Sequence, residues 1–336
     1  MIKEAIAELV AGRNLPLETA ALAMTELMSG QTSPAQTAAF ITALAIKGET
    51  IDEITACAKV MRAKAAVVHA QEPFVDIVGT GGDKSGTFNI STAAALVTAG
   101  SGLRVAKHGN RAASSHSGSA DLLAELGVNL DADIPTVERC IAEANIGFMF
   151  APKMHAAMKH AIGPRREIGI RTVFNILGPL TNPAGARDML LGVFSADIAV
   201  PMAKVLAQLG ARHVYVVRGE DGLDEVTITD RTLVAELKNG TVSRYHIQPE
   251  DFGIQRTTSE QLRVDSVAES AEHVRSVLAG RPGPVRDIVV LNAACGIAAG
   301  GAAPDIAAGV EVAQNSIDSG AAADALEKLV RISHAD

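Results

Sequence analysis

From residue 1 to about 67 the hydrophobic pattern reads as one helix after another. In AQTAAFITALAIKG the apolar positions recur at three and four, and Gly48 supplies a stop. Ser33 followed by Pro34 is an N-cap with proline at the first helical position. Thr50 with Glu53 fits a capping box, so a helix begins near Ile51. No strand-like alternation interrupts these repeats, and the expectation is a small all-helical unit.

The pattern changes at Pro73. FVDIV is a short apolar run of the kind that forms a buried strand, and LRVAKHG (103–109), GFMFAP (147–152), MLLGVFS (189–195) and HVYVVRG (213–219) continue the series. Helix-like stretches separate them: STAAALVTAG, SADLLAELG, TVERCIAEAN and DIAVPMAKVLAQLG. Strand–helix alternation implies βα units around a mostly parallel sheet. Asn239-Gly240, flanked by TLVAEL and TVSRYHI, predicts a hairpin with a type I′ turn at an edge of that sheet. The last third is helical, and the Ala/Gly density of AACGIAAGGAAPDIAAG implies close helix packing. No repeat of solenoid period is present. The fold class is therefore α/β: a small all-helical domain plus a larger domain with a mostly parallel sheet flanked by helices.

Composition narrows the function classes. A chain of 336 residues, 48% hydrophobic and 20% charged, buries a substantial core. With 30 basic against 38 acidic residues the net charge is −8, which argues against a nucleic-acid coat. An anionic small substrate stays open, because a local basic pocket or a bound metal overrides the global sign. Aromatics are scarce, with no Trp, two Tyr and eight Phe, so a stacking platform for single strands is poorly supported. Cys57, Cys140 and Cys295 are odd in number and far apart, which suggests neither a disulfide framework nor a zinc site. The first residues lack a signal-peptide core and no apolar run is long enough for a membrane span, so a cytoplasmic location is expected.

Candidate chemistry begins in DIVGTGGDKSGTFNIST, residues 76–92, where Gly79, Gly81, Gly82 and Gly86 lie between a strand and a helix start. The P-loop pattern fails here for want of its first glycine, and the dinucleotide fingerprint fails at Lys84. The stretch is either a simple turn or a cradle in which glycines let the backbone approach an anion, with N–H groups near Asn89, Ser91 and Thr92 pointing at it. A second loop, KHGNRAASSHSGSADLLAELG, again follows a strand and leads into a helix. Lys107 and Arg111 bring charge, Asn110 an amide, and Ser114, Ser115 and Ser119 hydroxyls. Two such loops at the carboxyl ends of adjacent strands face one crevice and imply a ligand with two separated phosphates. His108 and His116 are either acid–base groups or structural hydrogen-bond donors. In RGEDGLDEVT, Asp224 and Glu225 are either part of an acidic turn or, beside two phosphate loops, ligands for magnesium.

Together VGTGGD, FNIST, KHGNRAASSHSGSADLL, GPRREIGIRTVFNILGPLTNP and GLDE resemble the anthranilate phosphoribosyltransferase family over nearly the whole chain. The KHGNR stretch is shared with pyrimidine-nucleoside phosphorylases; the combination belongs to the transferases. Ala124 departs from the glutamate more usual there, on a helix away from the chemistry. The resemblance implies a helical domain of residues 1–67, joined by a segment near 170–185, and a phosphoribosyl-binding α/β domain of residues 73–336. It also implies a homodimer through the helical domain, and magnesium, two ions per subunit.

By the same resemblance, phosphoribosyl pyrophosphate falls to Gly79, Gly82, Asp83, Thr87, Asn89, Ile90, Ser91 and Thr92 in the first loop. In the second loop it falls to Lys107, His108, Gly109, Asn110, Arg111, Ala112, Ala113, Ser114, Ser115 and Ser119. Anthranilate falls to Gly79, Asn110 and Arg165, with Arg166 turned away, and magnesium to Ser91, Asp224 and Glu225. No residue is assigned as general acid or base. Asp83 is expected either to orient the N–H groups of its own loop or to bond metal-bound water and ribose hydroxyls. A pyrimidine-nucleoside phosphorylase needs one phosphate loop and no acidic pair, so Asp224, Glu225 and Arg165 count against it. A non-catalytic nucleic-acid-binding homologue would lose these motifs and gain basic surface, which this chain does not.

Overall fold

The structure, a computed structural model, describes residues 1–112 and 117–335. Four helices come first: α1 (Ile2–Val10), α2 (Leu17–Met28), α3 (Pro34–Lys47) and α4 (Ile51–Lys64). α3 and α4 start where the caps predict. The Ser33 hydroxyl accepts from the Gln36 N–H while the Gln36 side chain accepts from Ser33, and Thr50 and Glu53 do the same one helix later. Glu53 is fully buried, and its carboxylate also accepts from Leu15 N–H and pairs with Lys47 at 2.8 Å. One carboxylate thus caps α4 and pins the loop between α1 and α2.

Seven strands follow among the described residues: β1 (Phe74–Gly79), β2 (Arg104–Gly109), β3 (Ile146–Phe150), β4 (Asp188–Gly192), β5 (His213–Gly219), β6 (Thr232–Lys238) and β7 (Thr241–Ile247). They form one sheet in the order β3-β2-β1-β4-β5-β6-β7. The first five are parallel and the last two join antiparallel. Asn239 and Gly240 link β6 to β7 with φ of 52° and 76°, both left-handed, as a type I′ turn requires, and β7 is the edge. β4 stops earlier than its apolar run: Val193 N–H still reaches the Val217 carbonyl, but Phe194 N–H turns to the Thr80 hydroxyl.

The remaining helices are α5 (Ile90–Gly100), α6 (Ser119–Glu125), α7 (Ile134–Glu143), α8 (Ala151–Met154), α9 (Lys159–Ile168), α10 (Phe174–Leu177) and α11 (Ala199–Gln208). After the hairpin come α12 (Val267–Leu278), α13 (Pro284–Ala299), α14 (Ile306–Asp318) and α15 (Ala321–Ser333). Period-two alternation sorts the sheet residues between two cores. Tyr215 and Val217 face the cluster built with α5, α13 and α15, while Val214 and Val216 face the one built with α11. That second cluster continues without a break into α1–α4 and takes in Val173, Phe174 and Leu180. Ala294 and Gly309 show why the last helices need small residues: a Cβ on Gly309 would lie 2.6 Å from the Ala294 carbonyl oxygen.

The strand order fixes where a ligand sits. From β1 the chain winds outward through β2 and β3, then returns to the other side as β4 and β5. The crevice at the carboxyl ends of β1 and β4 is the switch point of a doubly wound sheet, where the flanking loops diverge.

Candidate active site

A cavity of about 380 Å³ opens at that switch point. The glycine loop forms its first wall, with Gly81, Gly82 and Gly86 at φ of 66°, 82° and 71°. Lys84 shares this left-handed backbone at φ 61°, a conformation that disfavours a side chain. Gly79 and Gly82 are needed for space: a Cβ would come 2.8 Å from an Asp224 carboxylate oxygen at Gly79, and 2.9 Å from the Arg171 guanidinium at Gly82. The returning limb is held by Phe88 N–H to Leu262 O and Val264 N–H to Gly86 O.

At the start of α5, Asn89 is the N-cap. Its Oδ1 accepts from Thr92 N–H at 3.0 Å and from the Ser91 hydroxyl at 3.3 Å, and its amide donates to Ser117 O in the second loop. This corrects the expectation for Thr92, whose N–H is taken by the cap and does not point freely at an anion. Thr87, Asn89, Ile90 and Ser91 line the cavity; Thr92 is fully buried behind it.

The second loop supplies Lys107, His108, Gly109, Asn110, Arg111, Ala112 and Ser119 to the lining. Ala113, Ser114, Ser115 and His116 lie outside the described residues. The Lys107 side chain is 1% exposed, and Nζ donates to Ile77 O at 2.6 Å and Ser91 Oγ at 3.4 Å. Burial lowers its pKa, while the charges of Asp76 and Glu225 work the other way. Arg111 pairs with Asp121 at 2.7 Å, so its charge is already engaged.

His108 lines the cavity, but its ring is engaged by a second histidine. Its Nε2 lies 3.2 Å from Nε2 of His155, and burial, followed by the His155 charge, pushes its pKa down to about 3. Its backbone N–H donates to Asp76, whose other carboxylate oxygen accepts from Asn182 at 2.7 Å. The structural-donor reading of His108 is the one this geometry favours.

The third wall is acidic. Glu220 pairs with Arg231, and Asp221 accepts from Leu223 N–H and Thr227 Oγ1, so these two serve the turn itself. Asp224 and Glu225, each 9% exposed, point into the cavity instead. Asp224 accepts from Gly81 N–H at 2.8 Å. Burial first, then the facing charge of Asp83, raises its pKa to about 7. Burial and Asp224 together push Glu225 well above the usual carboxylate range. Asp83 itself accepts from Ser85 N–H at 3.3 Å, which orients its own loop.

Carboxylates crowded in this way are relieved by a cation. The donors beside them are all oxygen, including the Ser91 hydroxyl, which suits magnesium. Among the described residues no group of three His, Cys, Asp or Glu is placed to hold a metal ion by itself.

Arg165, on α9, lines the cavity, stacks over Phe174 at 4.9 Å, and has its pKa lowered by burial alone, without a carboxylate partner among the described residues. The adjacent Arg166 is exposed and outside the lining. Arg171, Phe174, Asn175 and Phe194 also line it and were missed by the sequence reading. Arg171 spans the mouth, stacking over Phe194 at 4.2 Å and donating to Gly82 O. The available signal was the polar Arg-Thr step breaking the apolar run of IGIRTVFNIL.

Residues 71–323 match the family described as "Glycosyl transferase family, a/b domain", and residues 3–65 the "Glycosyl transferase family, helical bundle domain". The chain is 56% identical over 282 residues to the anthranilate phosphoribosyltransferase of Thioalkalivibrio sulfidiphilus, covering 84% of this chain and 83% of the relative. The crystal structure of anthranilate phosphoribosyltransferase from Thermus thermophilus superposes with a TM-score of 0.93 at 44% identity, over 98% of this chain and 99% of that one. The Saccharomyces cerevisiae enzyme in complex with PRPP and Mg superposes at 0.90 and 29% identity, over 99% and 97%. A structure of that yeast enzyme with 4-fluoroanthranilate gives 0.88 and 27% over the same shares.

Proposed function

This chain belongs to the anthranilate phosphoribosyltransferase family, and from that premise we propose how its residues divide the work. It transfers the phosphoribosyl group of 5-phospho-α-D-ribose 1-diphosphate to the amine of anthranilate. The products are N-(5-phosphoribosyl)anthranilate and pyrophosphate, the second step of tryptophan biosynthesis from chorismate. Magnesium serves the reaction.

Breaking the anomeric C–O bond builds positive charge on the ribose and negative charge on the departing pyrophosphate, so stabilisation is needed at the leaving group. Ser91, Asp224 and Glu225 would hold magnesium, for which we propose two ions per subunit; when bound, it offsets charge on the pyrophosphate oxygens. Gly79, Gly82, Asp83, Thr87, Asn89 and Ile90 form the pyrophosphate end, with Thr92 behind them holding the cap. Lys107, Gly109, Asn110, Arg111, Ala112 and Ser119, with Ala113, Ser114 and Ser115, take the other phosphate and the ribose. His108 keeps that loop in place as a neutral ring. Arg165 forms a bidentate pair with the anthranilate carboxylate, with Asn110 and the Gly79 backbone beside the ring and amine. An aryl amine is neutral at pH 7, so positioning rather than a general base carries the attack.

The division of the chain follows the same reading: a helical domain of residues 1–67 with the segment near 170–185, an α/β domain of residues 73–336, and a homodimer through the helical domain in the cytoplasm. The observation that carries the assignment is one cavity lined at once by the glycine loop, the second loop, the buried acidic pair and Arg165. The test is anthranilate fluorescence in the presence of phosphoribosyl pyrophosphate and magnesium, with an EDTA control. Decay only when all components are present is expected. Decay that persists in EDTA would remove the metal from the reading, and turnover of thymidine or uridine with phosphate instead would replace it.

A further inference from the structure

The acidic pair has no rigid element of its own. Asp224 and Glu225 lie in the irregular stretch between β5 and β6. Yet the following residue, Val226, is fully buried and held on both sides of its backbone by one side chain from the middle of α13. Asn292 Oδ1 accepts from Val226 N–H at 2.9 Å, and its Nδ2 donates to Val226 O and to Ile288 O, each at 2.8 Å. Asn292 is itself 0% exposed. Those three bonds use the acceptor and both donor hydrogens of its amide.

The other flank of the pair is shaped by absence of side chains. A Cβ on Gly192, the last residue of β4, would lie 1.6 Å from the Asp224 carbonyl oxygen, an impossible approach. Gly79 leaves room for the Asp224 carboxylate in the same way. Residues 224–226 therefore run through a slot between two strand-end glycines and are clamped from behind by an amide that mimics a strand partner.

We propose that Asn292 is a positioning residue for the metal-binding carboxylates. It touches neither cavity nor ligand and acts only by fixing the backbone of Val226, and through it the direction of Asp224 and Glu225. A buried polar side chain in the middle of an apolar helix is costly unless paired, and here its partners are the backbone that carries the carboxylates. This inference rests on the assignment of Asp224 and Glu225 to magnesium.

The test uses the full-length protein with Asn292→Ala, Asn292→Asp and, in parallel, Asp224→Asn. Three quantities are read: the thermal midpoint, the magnesium concentration for half-maximal activity, and binding of Mn²⁺ in the presence of pyrophosphate by electron spin resonance, where no turnover occurs. Misdirected carboxylates raise the magnesium midpoint and weaken Mn²⁺ binding by roughly tenfold or more, as loss of an outer-shell support does, while the anthranilate KM stays put. A purely structural role lowers the thermal midpoint and the active fraction but leaves metal affinity unchanged.

Asn292→Asp keeps the shape and the acceptor for Val226 N–H, so it carries the test should the alanine variant fail to fold. Its second oxygen replaces the donating Nδ2 and faces the Val226 and Ile288 carbonyls, so its magnesium midpoint should rise at least as far as that of Asn292→Ala. A folded Asn292 variant with wild-type Mn²⁺ affinity, beside an Asp224→Asn that has lost it, overturns the positioning role alone. Wild-type affinity in Asp224→Asn overturns the metal assignment and the positioning role with it.

Discussion

Arg165 is the cavity's basic group with the clearest vacancy for an anion: half-buried, stacked on Phe174 and without a carboxylate partner among the described residues. Charge-assisted hydrogen bonds contribute about 1.5–3 kcal/mol each. Arg165→Ala is therefore expected to raise the anthranilate KM roughly 10- to 100-fold, with a much smaller change for phosphoribosyl pyrophosphate. Equal rises in both, measured by varying each substrate at saturation of the other, would remove Arg165 from the anthranilate side. His108 makes a different contribution. In the unfolded chain it titrates near ~6.5, whereas burial in the fold pushes it down to about 3. Below the unfolded value the unfolded chain binds a proton that the folded protein refuses, so stability falls as pH falls through that window. The slope approaches ~1.4 kcal/mol per pH unit for one such group. Urea unfolding at stepped pH should show a shallower acid loss for His108→Gln than for wild type. Parallel curves would mean that the ring is not held neutral.

At the scale of elements, what could be read in advance was whatever depends on neighbours in sequence. The caps at Ser33 and Thr50, the apolar run of β5 and the Asn239-Gly240 turn are all local, and each appears where its residues demand it. The glycine loop was visible for the same reason. Its inner wiring was not. Whether the Thr92 N–H is free or capped depends on one rotamer of Asn89. That Arg171 reaches Gly82, or Asn182 reaches Asp76, depends on how the 170–185 segment docks against the strand ends, across separations of 89 and 106 residues. No periodicity records such contacts. The end of β4 was overestimated because Val193 and Phe194 are as apolar as the strand before them, while the ladder is ended by a hydroxyl from a neighbouring loop. The acidic turn was legible as two alternatives, and burial separates them: Glu220 and Asp221 serve the turn, Asp224 and Glu225 the cavity.

At the scale of the whole molecule, the glycine loop, the second loop, the acidic pair and Arg165 all line one cavity. With those groups far in sequence from the exposed apolar positions of the first three helices, the proposed association through the helical domain is expected to act on stability rather than on chemistry. The helices carry the means: Val10 on α1, Leu22 on α2 and Ile46 on α3 are 74%, 51% and 81% exposed, large apolar side chains left in water by the monomer. In a two-fold dimer one substitution acts twice. Leu22→Glu would bury an unpaired charge from each subunit, and even the lower figure of ~1–3 kcal/mol for an unsatisfied buried polar group, counted twice, weakens association by roughly 30-fold or more. Sedimentation equilibrium is therefore expected to show the proposed dimer for wild type and a shift toward the monomer for Leu22→Glu at the same concentration. The kcat of the monomeric variant should stay near wild type, since Asp224, Glu225, Arg165 and both loops are untouched, while its thermal midpoint falls with the lost contact. Loss of kcat in parallel with dissociation would show that the partner holds the α9–α10 wall of the cavity in place. An unchanged dimer would put the interface on another face.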